Sequence, residues 1–139
     1  MPTEPDDDYA WLYRFAPREW IRASITELSK ARSGAEQRDA KGLLAGCRRA
    51  AGVAINGMLA LSRPPDARYG RTYMEHLAAL ATDEAAPAEA RAAAEKLLRE
   101  PTPGGAVVLL RTPKRDEALL EAAETVMAHA YAMVLRGVG

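Results

Sequence analysis

The stretch Gly42-Leu-Leu-Ala-Gly-Cys-Arg-Arg-Ala-Ala-Gly-Val-Ala-Ile-Asn-Gly-Met-Leu-Ala-Leu61 decides the fold, because it carries two separate stripes at helical spacing. One stripe is apolar and recurs every three or four residues, at Leu44, Cys47, Ala51, Ile55 and Met58. The other lies on roughly the opposite side and consists of small residues that let a second backbone approach closely, namely Gly46, Ala50, Val53 and Gly57. Only Arg49 and Asn56 are left to face water. The pattern predicts a helix covered on two sides, at the centre of the fold or of an oligomer.

Length and composition are those of one soluble globular domain. The chain has 139 residues, of which 48% are hydrophobic and 27% charged, and 19 basic residues balance 19 acidic ones. A net charge of zero argues against general electrostatic capture of nucleic acid or of an anionic membrane. The single cysteine, Cys47, has no partner for a disulfide, and no apolar run reaches the length of a membrane span. We therefore expect a cytoplasmic protein without a membrane anchor.

Periodicity and helix breakers divide the rest of the chain into helices. Residues 1–8 are acidic and contain two prolines, which predicts a disordered tail, and residues 9–139 then form a single domain. Helices are expected at about 17–32, at about 39–61, around 69–80, after Pro87 and from about Pro113. These predict an all-α, up-and-down bundle of about five helices, in which residues near 106–110 are compatible with a short extended segment.

The aromatic residues are concentrated at the start of the chain. Five of the eight lie within the first 20 positions, at Tyr9, Trp11, Tyr13, Phe15 and Trp20. Because aromatic side chains bury large areas, we expect this N-terminal arm to pack over one end of the bundle. A docking patch for a partner is the alternative.

Four segments resemble the HEPN family, small helical bundles whose name refers to nucleotide binding. Residues 19–28 (EWIRASITEL) resemble its opening helix and residues 42–61 its second helix. Residues 73–77 (YMEHL) are similar to the His-x-Leu of a middle helix, and residues 111–113 (RTP) to the Arg-Tyr-Pro before the closing helix. The resemblance covers most of residues 17–136. It implies a homodimer associated with a nucleotide, RNA or protein partner, such as a nucleotidyltransferase-type antitoxin.

Some HEPN domains are metal-independent ribonucleases with an Arg-x(4–6)-His motif, and Arg71 and His76 match that spacing. Their chemistry would suit the reaction, because an imidazole can act as acid or base on a ribose hydroxyl while a guanidinium holds the phosphate. Five positions along a helix, however, correspond to about 140° of rotation, which points the two side chains apart. In addition, Asp116 stands where the motif of the closing helix would have a histidine. We therefore expect a non-catalytic accessory module, with a toxin-like ribonuclease as the alternative.

Other candidate sites are an anion or nucleotide site and an interface. Arg111, Lys114 and Arg115 flank the start of the closing helix, whose free N–H groups also favour anions. The small-residue stripe is the candidate interface, either between subunits or within the chain. Arg48 leans toward the apolar stripe and is expected to need an acidic or carbonyl partner. No metal site and no cofactor are predicted, and a structural bundle with a partner-binding groove is the third hypothesis.

Overall fold

The computed structural model describes residues 7–36, 40–101 and 113–138, and these ranges form a helical bundle without strands. Two 3₁₀ helices, Asp7–Arg14 and Ala67–Tyr69, accompany five α-helices: α1 (Pro17–Glu36), α2 (Ala40–Leu59), α3 (Tyr73–Thr82), α4 (Ala88–Arg99) and α5 (Pro113–Val138). The all-α prediction is confirmed for these residues. The first 3₁₀ helix begins inside the predicted tail, whose residues 1–6 lie outside the described ranges. The predicted extended segment near 106–110 and Arg111 also lie outside them.

Helix α2 is the centre of the bundle, as its two stripes predicted. Every residue from Ala50 to Gly57 is buried, and α2 packs against all four other α-helices. The small-residue stripe faces α1: a Cβ on Gly46 would lie 2.8 Å from the Cβ of Ala31, and one on Gly57 would lie 2.8 Å from the carbonyl oxygen of Pro17. The stripe Gly46, Ala50, Val53 and Gly57 is therefore buried within the chain, and its two glycines face α1.

Asn56 was expected to face water, and this is wrong. Its side chain is 3% exposed, whereas Arg49 remains at the surface and pairs with Glu27 at 3.6 Å. The reason is that α2 has more than two neighbours. A Cβ on Gly52 would collide with the ring of Tyr73, so α3 closes a side of α2 that the pattern of two stripes leaves open.

Arg48 ties α2 to the end of α4. Its Nε donates to the carbonyl oxygen of Leu97 at 2.9 Å, and its terminal nitrogen donates to that of Glu100 at 2.9 Å. These are acceptors that the last turn of a helix leaves without intrahelical partners, and a cation there also complements the helix dipole. Burial lowers the pKa of Arg48. The prediction of an acidic or carbonyl partner is thus confirmed, and the partners are carbonyl oxygens.

The aromatic arm packs over the end of the bundle formed by α1 and the turn after α2. The indole Nε1 of Trp20 donates to the carbonyl oxygen of Leu12 at 2.8 Å, and Leu12 itself is fully buried. The hydroxyl of Tyr13 donates to the carbonyl oxygen of Ser62 at 2.7 Å. Trp11 and Phe15 contact Trp20 edge to face. The prediction that the arm closes one end of the core is confirmed.

Helix α5 is long and apolar enough to cross a membrane by length and composition alone, over residues 114–137 with a mean hydropathy of 1.2. Central helices of soluble proteins meet the same criterion. In this bundle α5 packs against α1, α2 and α4 through a stripe of fully buried residues: Leu119, Ala123, Val126, Ala130 and Val134. The described chain therefore has the organisation of a soluble helical protein.

Gly46→Val tests the contact between α2 and α1. We expect it to lower the free energy of unfolding by about 1–3 kcal/mol, because the added methyl groups meet Ala31 and the helices must separate. The matched control is Ala45→Val on the exposed side of α2, which carries only the helix-propensity cost of about 0.5 kcal/mol. Urea denaturation followed by circular dichroism measures both. Equal unfolding midpoints would show that α1 does not rest on Gly46.

Candidate functional site

His76, the predicted catalytic histidine, is a core residue. Its side chain is fully buried, in the first turns of α3. Nδ1 lies 2.6 Å from the carbonyl oxygen of Tyr69, and Nε2 lies 2.8 Å from Oδ1 of Asn56. The imidazole therefore joins α2, α3 and the turn between them, with both ring nitrogens engaged.

The protonation state of His76 follows from its partners. Burial lowers its pKa, so the ring is neutral at neutral pH. The carbonyl of Tyr69 is only an acceptor, which places the proton on Nδ1 and leaves Nε2 as an acceptor. An acceptor at Nε2 needs a donor opposite it. A half-turn of the Asn56 side-chain amide exchanges Oδ1 and the NH₂ group and directs the NH₂ group at Nε2.

Arg71 does not join His76. Its side chain is exposed, and its guanidinium carbon lies 5.3 Å from the ring centroid of Tyr9 in the N-terminal arm. Helix α3 begins after it with a capping box, in which Thr72 accepts from the N–H of Glu75 and Glu75 accepts from that of Thr72. An imidazole without exposed surface cannot reach a ribose hydroxyl, so the geometry does not support the Arg71–His76 ribonuclease site.

The predicted anion site is only partly described, and its described part does not converge on a ligand. Lys114 is exposed, whereas Nε of Arg115 donates to Oε1 of Glu100 at 2.6 Å, with side chains 18% and 16% exposed. Arg115 is thus committed to the end of α4. Arg111 lies outside the described residues.

A surface between α1 and α5 is the best candidate for binding. A groove of about 370 Å³ separates the two helices and has an apolar lining that includes Ile21, Ile25, Met127 and Tyr131. Two of these side chains remain well exposed, Ile25 at 58% and Tyr131 at 44%. Arg18 and Arg22 also line the groove, and within the described part of the chain no carboxylate pairs with them. An apolar patch with free cations at its edge is typical of an interaction surface.

Helix α5 contributes an exposed stripe at helical spacing to the same surface. Its first half is acidic and its second half apolar: Glu117, Glu121, Glu124, Ala128, Tyr131 and Leu135. The two helices run antiparallel, because Arg32 near the end of α1 pairs with Glu124, whereas Arg18 near its start meets Tyr131. We call the exposed residues of α1 and α5 the α1–α5 face; it is basic at one end, apolar in the middle and acidic at the other.

Some of these residues were predicted from the sequence and others were not. The four-residue spacing of Arg14, Arg18 and Arg22 places these arginines on one side of a helix, whereas the exposed stripe of α5 was not among the predicted sites. The Thr72–Glu75 spacing is a capping signal that places Arg71 outside α3 and would have separated it from His76. The role of Asn56 has no local signal, since its partner is 20 positions away. Among the described residues, no group of three metal-ligating side chains is close enough to hold an ion.

The stability of the protein should fall as the pH decreases from 7 to 5. Burial lowers the pKa of His76, so the unfolded chain takes up a proton near its ordinary pKa of about 6.5 while the folded chain does not. The stabilisation that the buried, neutral His76 provides is complete above the pKa of the unfolded chain. Below that pKa it is lost by up to about 1.4 kcal/mol per pH unit. Urea denaturation across this range should give a flatter profile for His76→Gln. His129 has a lowered pKa of the same sign, so His129→Gln is the control for the remaining slope. Identical slopes for His76→Gln and the wild type would contradict the assignment.

Structured RNA should not be cleaved through Arg71. We expect wild-type protein and Arg71→Ala to give the same background level, because the histidine partner is enclosed in the core. Arg99→Ala, an exposed arginine of α4, is the control for loss of positive charge. Cleavage by the wild type that disappears in Arg71→Ala but persists in Arg99→Ala would restore the ribonuclease hypothesis.

Comparison with known proteins assigns no function to these sites, so their interpretation depends on their geometry. No protein-family model, curated protein or solved structure matches the chain. The HEPN resemblance therefore stays a prediction that depends on the segments quoted above.

Proposed function

We propose that this chain is a non-catalytic accessory module of HEPN type that acts as a homodimer, with the α1–α5 face as its dimer interface. The observation that carries this proposal is the self-complementary charge of the face. Arg18 and Arg22 have no acidic partners within the described chain, and Glu117 and Glu121 on the same face have no basic ones. Unpaired charges of both signs around an apolar centre suit a second copy of the same surface.

A two-fold axis satisfies these charges. Arg18 lies seven residues before Ile25, and Glu121 lies seven residues before Ala128, which is about 10 Å along each helix. Because the helices are antiparallel, these two charges lie on opposite sides of the Ile25–Ala128 level. A two-fold axis in the plane of the face, across both helices, reverses the helix direction in the second copy. This axis places α1 on α1 and α5 on α5, so Glu121 of the second copy lies at the level of Arg18, about one interhelical distance (roughly 10 Å) to its side. The basic end of each copy thus faces the acidic end of the other, as an isologous interface requires.

The centre and the size of the face also fit a dimer. The axis brings the exposed side chains of Ile25 and Tyr131 against those of the second copy, which removes apolar surface from water. Two adjacent helices of about 20 residues cover roughly 600 Å² per copy, or about 1,200 Å² in total. This is at the lower end of stable, specific interfaces.

The other hypotheses have less support. The ribonuclease requires His76 at the surface, and it is fully buried. A bundle that binds a different protein through the same groove explains the apolar patch, but it gives no reason for the balance of charge between the two ends. Association of the dimer with a nucleotide, RNA or protein partner is proposed from the HEPN resemblance alone.

Charge reversal tests the dimer. Arg18→Glu and Glu121→Arg should each weaken self-association, because each brings like charges together at the same end of the interface, in both halves of the dimer. The double variant Arg18→Glu/Glu121→Arg restores opposite charges and should recover most of the wild-type affinity. Sedimentation equilibrium across the micromolar range measures the dissociation constants.

Two further variants complete this experiment. Ile25→Lys puts a charge at the centre of the apolar patch and should give a monomer. Glu89→Arg on the exposed side of α4 is the control and should leave the dimer unchanged. A monomeric wild type, or a double variant no stronger than the two single ones, would overturn the proposed arrangement.

A further inference from the structure

A second cavity, of about 330 Å³, lies on the opposite side of α5 from the α1–α5 face. It is open to solvent on one side and is bordered by the end of α2, the 3₁₀ helix Ala67–Tyr69, the turn after α3 and α5. Its apolar wall includes Met58, Leu61 and Met133. Methionine side chains adapt to ligands of different shapes, and the volume lies near the lower end of sites that hold small molecules.

Among the described residues, the cavity contains one carboxylate that no cation neutralises by direct contact. Asp66 is engaged by the guanidinium of Arg68 through contacts as short as 2.7 Å. Asp83 accepts from the hydroxyl of Tyr69 at 2.6 Å and from the N–H of Ala85 at 3.0 Å, and no ion pair reaches it within the described residues. These two bonds hold the carboxylate in place. They also leave it with acceptor capacity toward the cavity, because a carboxylate offers about four lone-pair sites.

His129 supplies a second acceptor. It lines the cavity from α5, is half-buried, and has no hydrogen-bond partner within the described part of the chain. Burial lowers its pKa, with Arg136 as a further cause, so the ring is neutral at pH 7 and one nitrogen accepts. The described residues of the lining thus include two carboxylates and one arginine; this arginine contacts Asp66 directly and acts on Asp83 only through space.

We propose that this cavity binds a small organic cation, a primary ammonium group on a compact apolar body. The ammonium group has three N–H donors and complements the negative charge of Asp83 and the free nitrogen of His129. The apolar body of the ligand lies against Met58, Leu61 and Met133. A ligand carboxylate or phosphate would meet Asp83 and be repelled. The site lies beyond the proposed dimer interface and does not depend on it.

The probe for this proposal is 2-phenylethylamine, titrated into the ¹⁵N-labelled full chain and followed by amide chemical shifts. We expect shifts at Ser62, Asp83 and Ala85 and at His129 and Met133. The neutral analogue 2-phenylethanol should bind at least about fivefold more weakly, because it lacks the charge-assisted bond. Asp83→Asn should weaken the amine by a similar factor and leave the alcohol unchanged. Glu84→Gln, an exposed neighbour outside the cavity, is the matched control.

A second variant is needed because Asp83→Asn also changes the hydrogen bond between Tyr69 and Asp83. Met133→Lys puts an ammonium group of the protein itself at the edge of the cavity, and it should reduce amine binding by at least about fivefold through competition for Asp83. The proposal is overturned by equal affinities for amine and alcohol, by unchanged amine affinity in both variants, or by the absence of shifts at the lining residues. The same titration of the Ile25→Lys monomer separates this outcome from failure of the dimer, since the cavity is complete within one copy.

Discussion

The close approach of α2 to α1 through Gly46 and Gly57 is the constraint on which the rest of the bundle depends. Because the two glycines carry no side chain, the backbone of α2 lies directly against Ala31 and the carbonyl oxygen of Pro17, and α2 has room for neighbours on its other sides. Helices α3, α4 and α5 take those sides, and the segment from Ala50 to Gly57 has no exposed position. Any polar group in that segment must find its partner inside the protein.

The buried pair of Asn56 and His76 is the consequence of that enclosure. His76 resembles a catalytic residue when it is seen in the sequence, but in the structure Nδ1 holds the backbone carbonyl of Tyr69 and Nε2 holds the side chain of Asn56. The carbonyl of Tyr69 is brought to Nδ1 by the turn at Gly70, which has a φ of +64°. A side chain at Gly70 would meet Glu75, the residue that caps α3. The conformation of the turn, the cap and the buried imidazole therefore depend on one another.

The sequence was sufficient for the class of the fold and for most helix boundaries, because proline positions and apolar spacing are local properties. It also predicted that Arg48 needs an acidic or carbonyl partner. It placed Asn56 incorrectly, because a helical projection shows which side a residue occupies but not how many neighbours cover the helix. Only parts of the site were predictable. The four-residue spacing of the arginines at the start of α1 is visible in the sequence, but their position relative to the glutamates of α5 depends on the antiparallel packing of helices nearly 100 residues apart.

Helix α5 connects the core with both proposed surfaces. The buried stripe through Val126 and Ala130 holds the bundle together, the exposed stripe through Tyr131 belongs to the α1–α5 face, and His129 and Met133 point into the second cavity. The helical period separates these three sides: positions 129 and 133 are rotated about the helix axis by more than about 100° from the centre of the exposed stripe. A helix used on all its sides has few positions open to neutral substitution. The same use explains its composition: the apolar content that would suit a membrane span serves a core, an exposed patch and the wall of a cavity.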